Sequence, residues 1–189
     1  MRQVPPAHTP IPPSALLSLA SPERDALDIL RGVLVKRWGS ESLELLGSGT
    51  QALQRALGLV AVGAPDPVLA MPGWGCFDLA SAAVGAGVRV RLYDLEPETL
   101  QPDPDSLAGM VEAVDGVVVV SFFGIPVEPA RLPAGVGAPD GPVLIHDAAQ
   151  AHGARFGPNS IDSAAEVTVL SFGRGKGWTG LSGGALILS

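Results

Sequence analysis

The sequence is short of cysteine, charge and basic residues, and each shortage excludes a class of protein. Its one cysteine, Cys76, cannot form an internal disulfide or by itself build a zinc site, unlike the cysteines of small secreted domains. Charged residues make up only 16% of the chain, and the net charge is −7. Nucleic-acid-binding proteins normally present a basic face, so the charge balance argues against a nucleic-acid partner.

Long apolar runs are also missing. The longest run, residues 116–127, is shorter than the ~20 residues that a membrane-spanning helix needs. The N-terminus carries prolines where a signal peptide would carry a continuous apolar segment. We therefore expect no membrane partner and a cytoplasmic location.

What the chain has is a high apolar content, 47%, arranged as short runs that alternate with helical patterns. Val-, Leu- and Ile-rich runs without polar alternation are typical of strands buried on both faces of a parallel sheet. The pattern predicts an α/β fold with a mainly parallel sheet sandwiched by helices. The predicted strands are 43–46, 67–71, 88–93, 117–122, 143–146, 167–170 and 184–188, and the predicted helices are 23–38, 50–62, 77–85 and 104–114.

The proline-rich residues 1–14 predict an extended N-terminal arm, and residues 15–189 predict one domain. The chain stops at Ser189, directly after an apolar run, with no helix or cap behind it. Domain ends normally lie in exposed segments. We therefore expect this domain to be part of a longer chain.

A glycine-rich turn lies between the first predicted strand and the next helix. Backbone N–H groups around Gly49, together with the Thr50 hydroxyl, would form an anion site at the helix N-terminus. The turn also fits a relaxed dinucleotide fingerprint, but the following strand ends in Pro72 instead of the acid which that fingerprint requires. A helix cap made by Ser48 or Thr50 is the structural alternative.

Two later segments place a carboxylate and an amine at the ends of strands. The strand 143–146 ends in Asp147, and the strand 167–170 leads through Ser171 into a glycine-rich turn that carries Lys176. The turn is not a phosphate-binding P-loop, because its glycine spacing and the residue after the lysine differ. An acid, a hydroxyl and an amine suit the ring nitrogen, phosphate and aldehyde of pyridoxal phosphate. The structural alternatives are a helix cap for Asp147 and a surface turn for Lys176.

Four segments in this order resemble the DegT/StrS-type sugar aminotransferases, which are pyridoxal-phosphate enzymes of the aspartate-aminotransferase fold. The matching segments are Ser-Gly-Thr-Gln-Ala-Leu from Ser48, Asp-Ala-Ala-Gln-Ala-His-Gly from Asp147, Ser171-Phe-x-x-x-Lys176, and Gly-Gly-Ala from Gly183. The motifs run from about residue 43 to the end of the chain. The resemblance implies the large domain of that fold, in an incomplete form without the small C-terminal domain, and a homodimer in the full-length protein.

The resemblance also implies roles for individual residues. Lys176 would bond covalently to the cofactor aldehyde and move the proton in catalysis, and Asp147 would pair with the ring nitrogen. Gln150 would hydrogen-bond the ring hydroxyl. The phosphate would be held by Gly49, Thr50, Gln51 and Ser171. A lysine at position 176 also favours amino transfer over the related sugar dehydratases.

The segment that begins at Pro72 departs from the family. Cys76 stands where the family usually places an aromatic ring on the cofactor face, so Trp74, Phe77 or the thiol itself would cover that face. The expected reaction is transfer of an amino group from an amino acid to a keto-sugar or related carbonyl compound. Two alternatives stay open: a truncated or degenerate binding module without catalysis, and a pyridoxal-phosphate-dependent lyase.

Overall fold

The computed structural model describes residues 13–14, 25–152, 154 and 161–189. The predicted arm lies outside these residues apart from its last two positions, as does the predicted start of the first helix at residue 23. The division into an arm and a domain therefore stays a prediction. Within the described part of the chain, no helix is both long and apolar enough to cross a bilayer.

A seven-stranded mixed sheet forms the centre of the described structure, in the order β1-β7-β6-β5-β4-β2-β3. Strands β3, β2, β4, β5 and β6 pair in parallel, whereas β7 is antiparallel to both β6 and β1. The strands are β1 Leu43–Leu46, β2 Val68–Pro72, β3 Arg89–Tyr93, β4 Gly116–Val120, β5 Val143–Asp147, β6 Val167–Ser171 and β7 Gly184–Leu188. The helices are α1 Ala26–Trp38, α2 Gly49–Ala61, α3 Phe77–Ala86 and α4 Pro104–Ala108.

Both faces of the central strands are covered, which explains their unbroken apolar sequences, whereas four of the five residues of the edge strand β3 are exposed. Alternate residues of β4 point to opposite sides: Val118 packs with the buried residues of α2 and α3, while Val117 and Val119 pack on the other face with Leu107 of α4. All five residues of β4 are buried. A strand of this kind has no solvent face that would require polar residues.

The predicted helix at 104–114 is shorter in the structure. Asp103 caps α4 by accepting the N–H groups of Asp105 and Ser106, but the helix ends at Ala108 and a 3₁₀ turn follows at Val111–Ala113. Leu107 is the only buried residue in α4. Because short helices depend on an apolar face for their stability, this segment has too little buried surface to extend through Gly109.

The predicted strand at 117–122 also ends earlier, at Val120. Phe122–Gly124 forms a 3₁₀ turn in which Phe123 has a φ of 55°. An extended strand cannot contain a residue in this left-handed region. The chain therefore turns at the carboxyl end of β4, where the site described next is located.

Candidate functional site

A pocket lies at the edge of the sheet where β4, β5 and β6 end, between these strands and the start of α2. Strand pairing aligns the ends, since Val120 lies opposite Asp147, and Ser171 lies opposite Gly184. The carboxyl edge of such a sheet is the usual ligand site in α/β proteins. The pocket is lined by Gly49, Thr50, Leu53, Cys76, Asp78, Leu79, Val120, Phe122, Asp147, Ala149, Gln150, Ser171 and Lys176.

The start of α2 forms the part of the pocket that suits an anion. A Cβ added at Gly49 would lie 2.5 Å from the Cβ of Ser171, so only glycine allows the helix to approach the end of β6 this closely. The Thr50 and Ser171 hydroxyls therefore line the pocket beside the positive end of the helix dipole. Hydroxyls and a helix N-terminus together form a site for a phosphate group.

The side chains of Ser48 and Gln51 cap the start of α2. Ser48 Oγ accepts the N–H of Gln51 at 3.1 Å, and Gln51 Oε1 accepts the N–H of Gly47 at 3.1 Å. The capping role foreseen for Ser48 is thus confirmed. Gln51, predicted to hold the phosphate through its backbone, lies outside the set of lining residues.

Asp147 ends β5 and places its carboxylate in the pocket. Its Oδ1 accepts the N–H of Ala149 at 2.9 Å, which fixes the side chain at the strand end. Burial raises the pKa of Asp147, while the Ala149 N–H and the positive charge of Lys176 act in the opposite direction. A half-buried carboxylate of this kind is stabilised in its ionised form by a cationic partner.

Lys176 lies on a tight turn after β6. Its backbone N–H donates to Gly173 O at 3.2 Å, and Thr179 Oγ1 also donates to Gly173 O at 3.2 Å. The turn closes when the Gly180 N–H donates to Phe172 O at 2.8 Å. These bonds place the lysine side chain, which is half-buried, in the wall of the same pocket as Asp147.

A stack of rings holds the lysine turn against the rest of the fold. The His152 ring lies between Phe172 and Trp178, with both centroid distances 6.0 Å. The guanidinium of Arg37 lies 5.3 Å from the centre of the Trp178 ring. Burial lowers the pKa of His152, and the positive charges of Lys176 and Arg37 lower it further. The stack favours a neutral imidazole beside the lysine turn.

Gln150 is oriented by the strained turn after β4. Its Oε1 accepts the N–H of Phe123 at 2.8 Å. Because this bond uses the carboxamide oxygen, the donor end of the amide is the end left to face a ligand. The hydrogen bond from Gln150 to a ring hydroxyl stays a prediction, and this orientation would make the amide N–H the donor.

The aromatic residues predicted to cover the cofactor lie elsewhere. Trp74 lies outside the lining set with 54% of its surface exposed, and Phe77 is 77% exposed. The ring that lines the pocket is Phe122, which is 5% exposed and lies 5.2 Å from the Trp74 ring between centroids. Cys76 lines the pocket, and its contact with a cofactor stays a prediction.

Sequence reasoning missed six of the lining residues, among them Phe122 and Asp78. Phe122 follows the end of β4 in a 3₁₀ turn, and it packs with the buried residues of α2 and α3 on the pocket side of the sheet. Asp78 lies in the first turn of α3, where its Oδ2 accepts the Cys76 thiol at 3.3 Å. An acid two residues after Cys76, at the start of a helix, was the available signal.

Comparison with known proteins gives the same result as the motifs. Residues 39–189 match the model of the DegT/DnrJ/EryC1/StrS aminotransferase family. An L-glutamine:2-deoxy-scyllo-inosose aminotransferase of Streptomyces kanamyceticus is 37% identical over 141 residues, which are 74% of this chain and 33% of that protein. The 3-amino-5-hydroxybenzoate synthase of Amycolatopsis mediterranei is 30% identical over 74% of this chain and 36% of its own length.

Solved structures share the fold as well. AtS13 from Actinomadura melliaura superposes with a TM-score of 0.86 at 26% identity, covering 100% of this chain and 54% of that one. The sugar aminotransferase CalS13 from Micromonospora echinospora superposes with a TM-score of 0.78 at 29% identity, covering 96% of this chain and 52% of that one. The chain spans about a third of the length of these two curated relatives and about half of these two solved chains. The chain belongs to the DegT/DnrJ/EryC1/StrS aminotransferase family.

Proposed function

We propose that the full-length protein is a pyridoxal-phosphate-dependent aminotransferase. In this proposal it transfers an amino group from an amino acid to the carbonyl of a keto-sugar or related compound. The observation that carries the proposal is the meeting of three chemical groups in one pocket: the Asp147 carboxylate, the Lys176 amine, and the hydroxyl-lined helix start at Gly49. Family membership supports the same reaction class.

The residues present fit the cofactor. The close approach of Gly49 to Ser171 leaves no room for a side chain at position 49, and Gly49, Thr50 and Ser171 all line the pocket at the start of α2. Burial disfavours the ionised form of Asp147, which a protonated ring nitrogen would restore by a charge-assisted hydrogen bond. The pocket therefore has one end suited to the cofactor phosphate, at the start of α2, and another suited to its protonated ring nitrogen, at Asp147.

When bound, pyridoxal phosphate supplies an aldehyde and a ring that withdraws electrons from the reacting carbon. Asp147 would hold the proton on the ring nitrogen. Lys176 would bind the aldehyde and then, as a free amine, move the proton at the substrate carbon. Gln150 would orient the ring through its hydroxyl, and Thr50 and Ser171 would bind the phosphate.

The relatives suggest both substrates. One relative is named for L-glutamine as amino donor and for 2-deoxy-scyllo-inosose as acceptor. We propose L-glutamine as the donor for this protein and a ketone-bearing cyclitol or sugar as its acceptor. The polar wall at Asp78 and Gln150 supports an acceptor with several hydroxyl groups.

We further propose that the full-length protein is a cytoplasmic homodimer. Large apolar side chains next to the pocket are exposed: Trp74 at 54%, Phe77 at 77% and Phe123 at 69%. Exposed apolar groups of this size are typical of association surfaces. Sedimentation of the full-length protein tests the dimer, and a monomer at micromolar concentration would contradict it.

Borohydride reduction tests the covalent role of Lys176. The full-length protein is incubated with pyridoxal phosphate, reduced, digested and mapped by mass spectrometry, with Lys176→Arg and Lys36→Arg as paired variants. The adduct should lie on Lys176, be absent from Lys176→Arg and persist in Lys36→Arg. An adduct confined to Lys36 would contradict the proposal, as would the absence of any adduct.

Single half-reactions separate the alternatives. With L-glutamine alone, an aminotransferase should convert its bound cofactor to the amino form once per site and release the matching keto acid. A lyase would instead turn over its substrate without that stoichiometric conversion. A non-catalytic module would leave the cofactor, if bound, unchanged.

A further inference from the structure

A buried chain of polar side chains lies on the face of the sheet opposite the pocket. Ser121 Oγ lies 2.8 Å from His146 Nε2, and His146 Nδ1 lies 2.6 Å from Asp162 Oδ1. Ser121 and His146 are each 1% exposed. Nothing in the proposed reaction uses these three side chains, which we call the back-face network.

Each member of the back-face network is hydrogen-bonded to the next. The Val127 N–H donates to Ser121 Oγ at 3.3 Å, and the same oxygen is hydrogen-bonded to His146 Nε2. The His146 Nδ1–H then donates to the Asp162 carboxylate. A Ser-His-Asp order is also that of a nucleophile with its base, but a serine 1% exposed is out of reach of a substrate.

The back-face network is attached directly to the strand end that carries Asp147. His146 and Asp147 are consecutive in β5, so their side chains lie on opposite faces of the sheet. Ser121 makes a second contact here, because its backbone N–H donates to Asp147 O at 3.2 Å. Ser121 thus binds β5 twice, through its side chain at His146 and through its main chain at Asp147.

The other end of the network reaches β6. Asp162 precedes that strand in a 3₁₀ turn, and Thr168 Oγ1 of β6 donates to Asp162 Oδ1 at 3.4 Å. The network therefore joins β4, β5 and β6 near the level at which Val120, Asp147 and Ser171 line the pocket on the front face. Apolar side chains at these positions would pack in more than one arrangement, because their contacts are not directional. The hydrogen bonds of the network require one relative position of the three strands.

We propose that His146, held between Ser121 and Asp162, is a positioning residue that fixes Asp147 at the carboxyl edge of the sheet. This inference rests on the proposed function, in which Asp147 binds the cofactor ring nitrogen. Without the back-face network, the Asp147 carboxylate loses its fixed place beside the Ala149 N–H.

Two variants of the full-length protein break the network at different points. His146→Leu removes both imidazole bonds, and Ser121→Ala removes the hydroxyl while keeping the backbone N–H that binds Asp147 O. His146→Asn restores a donor near the Nδ1 position and serves as the conservative variant. Tyr93→Phe is the matched control, since it deletes a buried hydrogen bond from Tyr93 Oη to Val118 O on the same face, away from Asp147.

The first measurement needs no cofactor. Hydrogen exchange of the Ala149 amide, resolved by mass spectrometry, reports the bond from that amide to Asp147 Oδ1. We expect exchange to be faster by about tenfold in His146→Leu and Ser121→Ala, with partial recovery in His146→Asn and no change in Tyr93→Phe. If His146→Leu does not fold, Ser121→Ala decides the result.

The second measurement is the dissociation constant for pyridoxal phosphate, with the ring nitrogen of ¹⁵N-labelled cofactor observed by NMR. We expect binding weaker by about tenfold in the two network variants and a ring-nitrogen shift toward the unprotonated form. Ala149 exchange in both network variants equal to that of Tyr93→Phe would overturn the inference. A parent protein that binds no pyridoxal phosphate would overturn the proposed function, while the exchange result would still decide the role of His146.

Discussion

The side chains of the pocket owe their properties to their immediate surroundings. Burial raises the pKa of Asp147, and the Ala149 N–H holds its carboxylate in place. An aspartate in solvent would instead be ionised and mobile. Gln150 has a fixed amide direction because the Phe123 N–H occupies its oxygen. Each group is therefore arranged before a ligand arrives, which lowers the entropy that binding must overcome.

The raised pKa of Asp147 has a measurable effect on stability. In the cofactor-free protein, the folded state binds more protons than the unfolded chain between the ordinary aspartate pKa of about 3.9 and the raised value. The free energy of unfolding therefore falls as the pH rises through that window, and the full loss is present above it. Asp147→Asn should make the cofactor-free protein more stable near neutral pH but not in acid. Urea denaturation of both proteins near neutral pH and again in acid tests this. The exposed Asp140→Asn variant is the control.

The same substitution should have the opposite effect on activity. If Asp147 holds the proton on the ring nitrogen, Asp147→Asn removes the charge that keeps the ring electron-withdrawing. We expect the transamination rate to fall by about three orders of magnitude, roughly 4 kcal/mol of transition-state stabilisation. Steady-state kinetics on the cofactor-loaded protein measure the loss. Near-normal turnover would mean that Asp147 only caps the segment after β5.

Phe122 is the ring that contacts the pocket, so it replaces Trp74 and Phe77 as the test of cofactor stacking. Phe122→Leu should weaken pyridoxal phosphate binding by about 1 kcal/mol, the usual energy of an aromatic contact. Phe77→Ala should leave the affinity unchanged because that ring is 77% exposed. Fluorescence titration of both variants measures the difference. Equal affinities would leave Cys76 as the residue of this segment that covers the cofactor.

The strands and helices matter here mainly through their ends. The turn before α2 is joined to the start of β7, because Gly183 N–H and Ser182 Oγ both donate to Gly47 O, at 3.0 and 2.8 Å. A Cβ at Gly184 would lie 2.4 Å from Ser48 O, so this junction also requires glycine. The helix start, β6 and β7 therefore form one rigid rim at the phosphate end of the pocket.

Alanine substitutions at two glycines of α2 distinguish the effect of a close backbone contact from the effect of helix propensity. Gly49→Ala should destabilise the protein by about 1–3 kcal/mol, because its Cβ would lie 2.5 Å from Ser171 Cβ. Gly58→Ala in the same helix meets nothing within 4 Å and should stabilise it by up to about 1 kcal/mol. Urea denaturation of the two variants measures these effects. If both substitutions change stability equally, the contact between α2 and β6 is looser than described.

The whole fold brings the site together from segments that are far apart in the chain. Residues near positions 50, 76, 122, 147 and 176 meet at one edge because β2, β4, β5 and β6 run in parallel. A ligand that contacts all of these segments binds only the folded state. Ligand binding and global stability should therefore be linked.

Pyridoxal phosphate should raise the melting temperature of the full-length protein, and the gain in stability should grow with the logarithm of its free concentration above the dissociation constant. At a free concentration 100 times the dissociation constant, the expected gain is about 2.7 kcal/mol. At the same free concentration, inorganic phosphate alone should give a smaller rise in melting temperature, since it fills only the end of the pocket near Gly49. Differential scanning calorimetry measures both shifts. Equal shifts with the two ligands would mean that Asp147 and Lys176 do not contact the cofactor.

Much of this architecture was predictable because its signals are local. The runs at β1 and β7 are apolar and bounded by turn residues, and their predicted limits agree with the structure. The helix predicted at 104–114 was too long, because the pattern does not show that Leu107 alone is buried in α4. Asp147 and Ser171 were singled out because each comes at the end of an apolar run, and Lys176 because it lies in the glycine-rich turn that follows; their roles stay predictions.

The sequence by itself determined the alternation of strands and helices, the glycine-rich turns and the polar residues at strand ends, since these depend on neighbouring residues. Only the tertiary structure decided the strand order, with β7 antiparallel between β1 and β6, because strand pairing joins segments far apart in sequence. It also decided that Phe122 and not Trp74 faces the pocket, and that His146 bonds Ser121 and Asp162 behind Asp147. The physical reason is that the facing of a side chain follows from packing across the sheet, which no short stretch of sequence specifies.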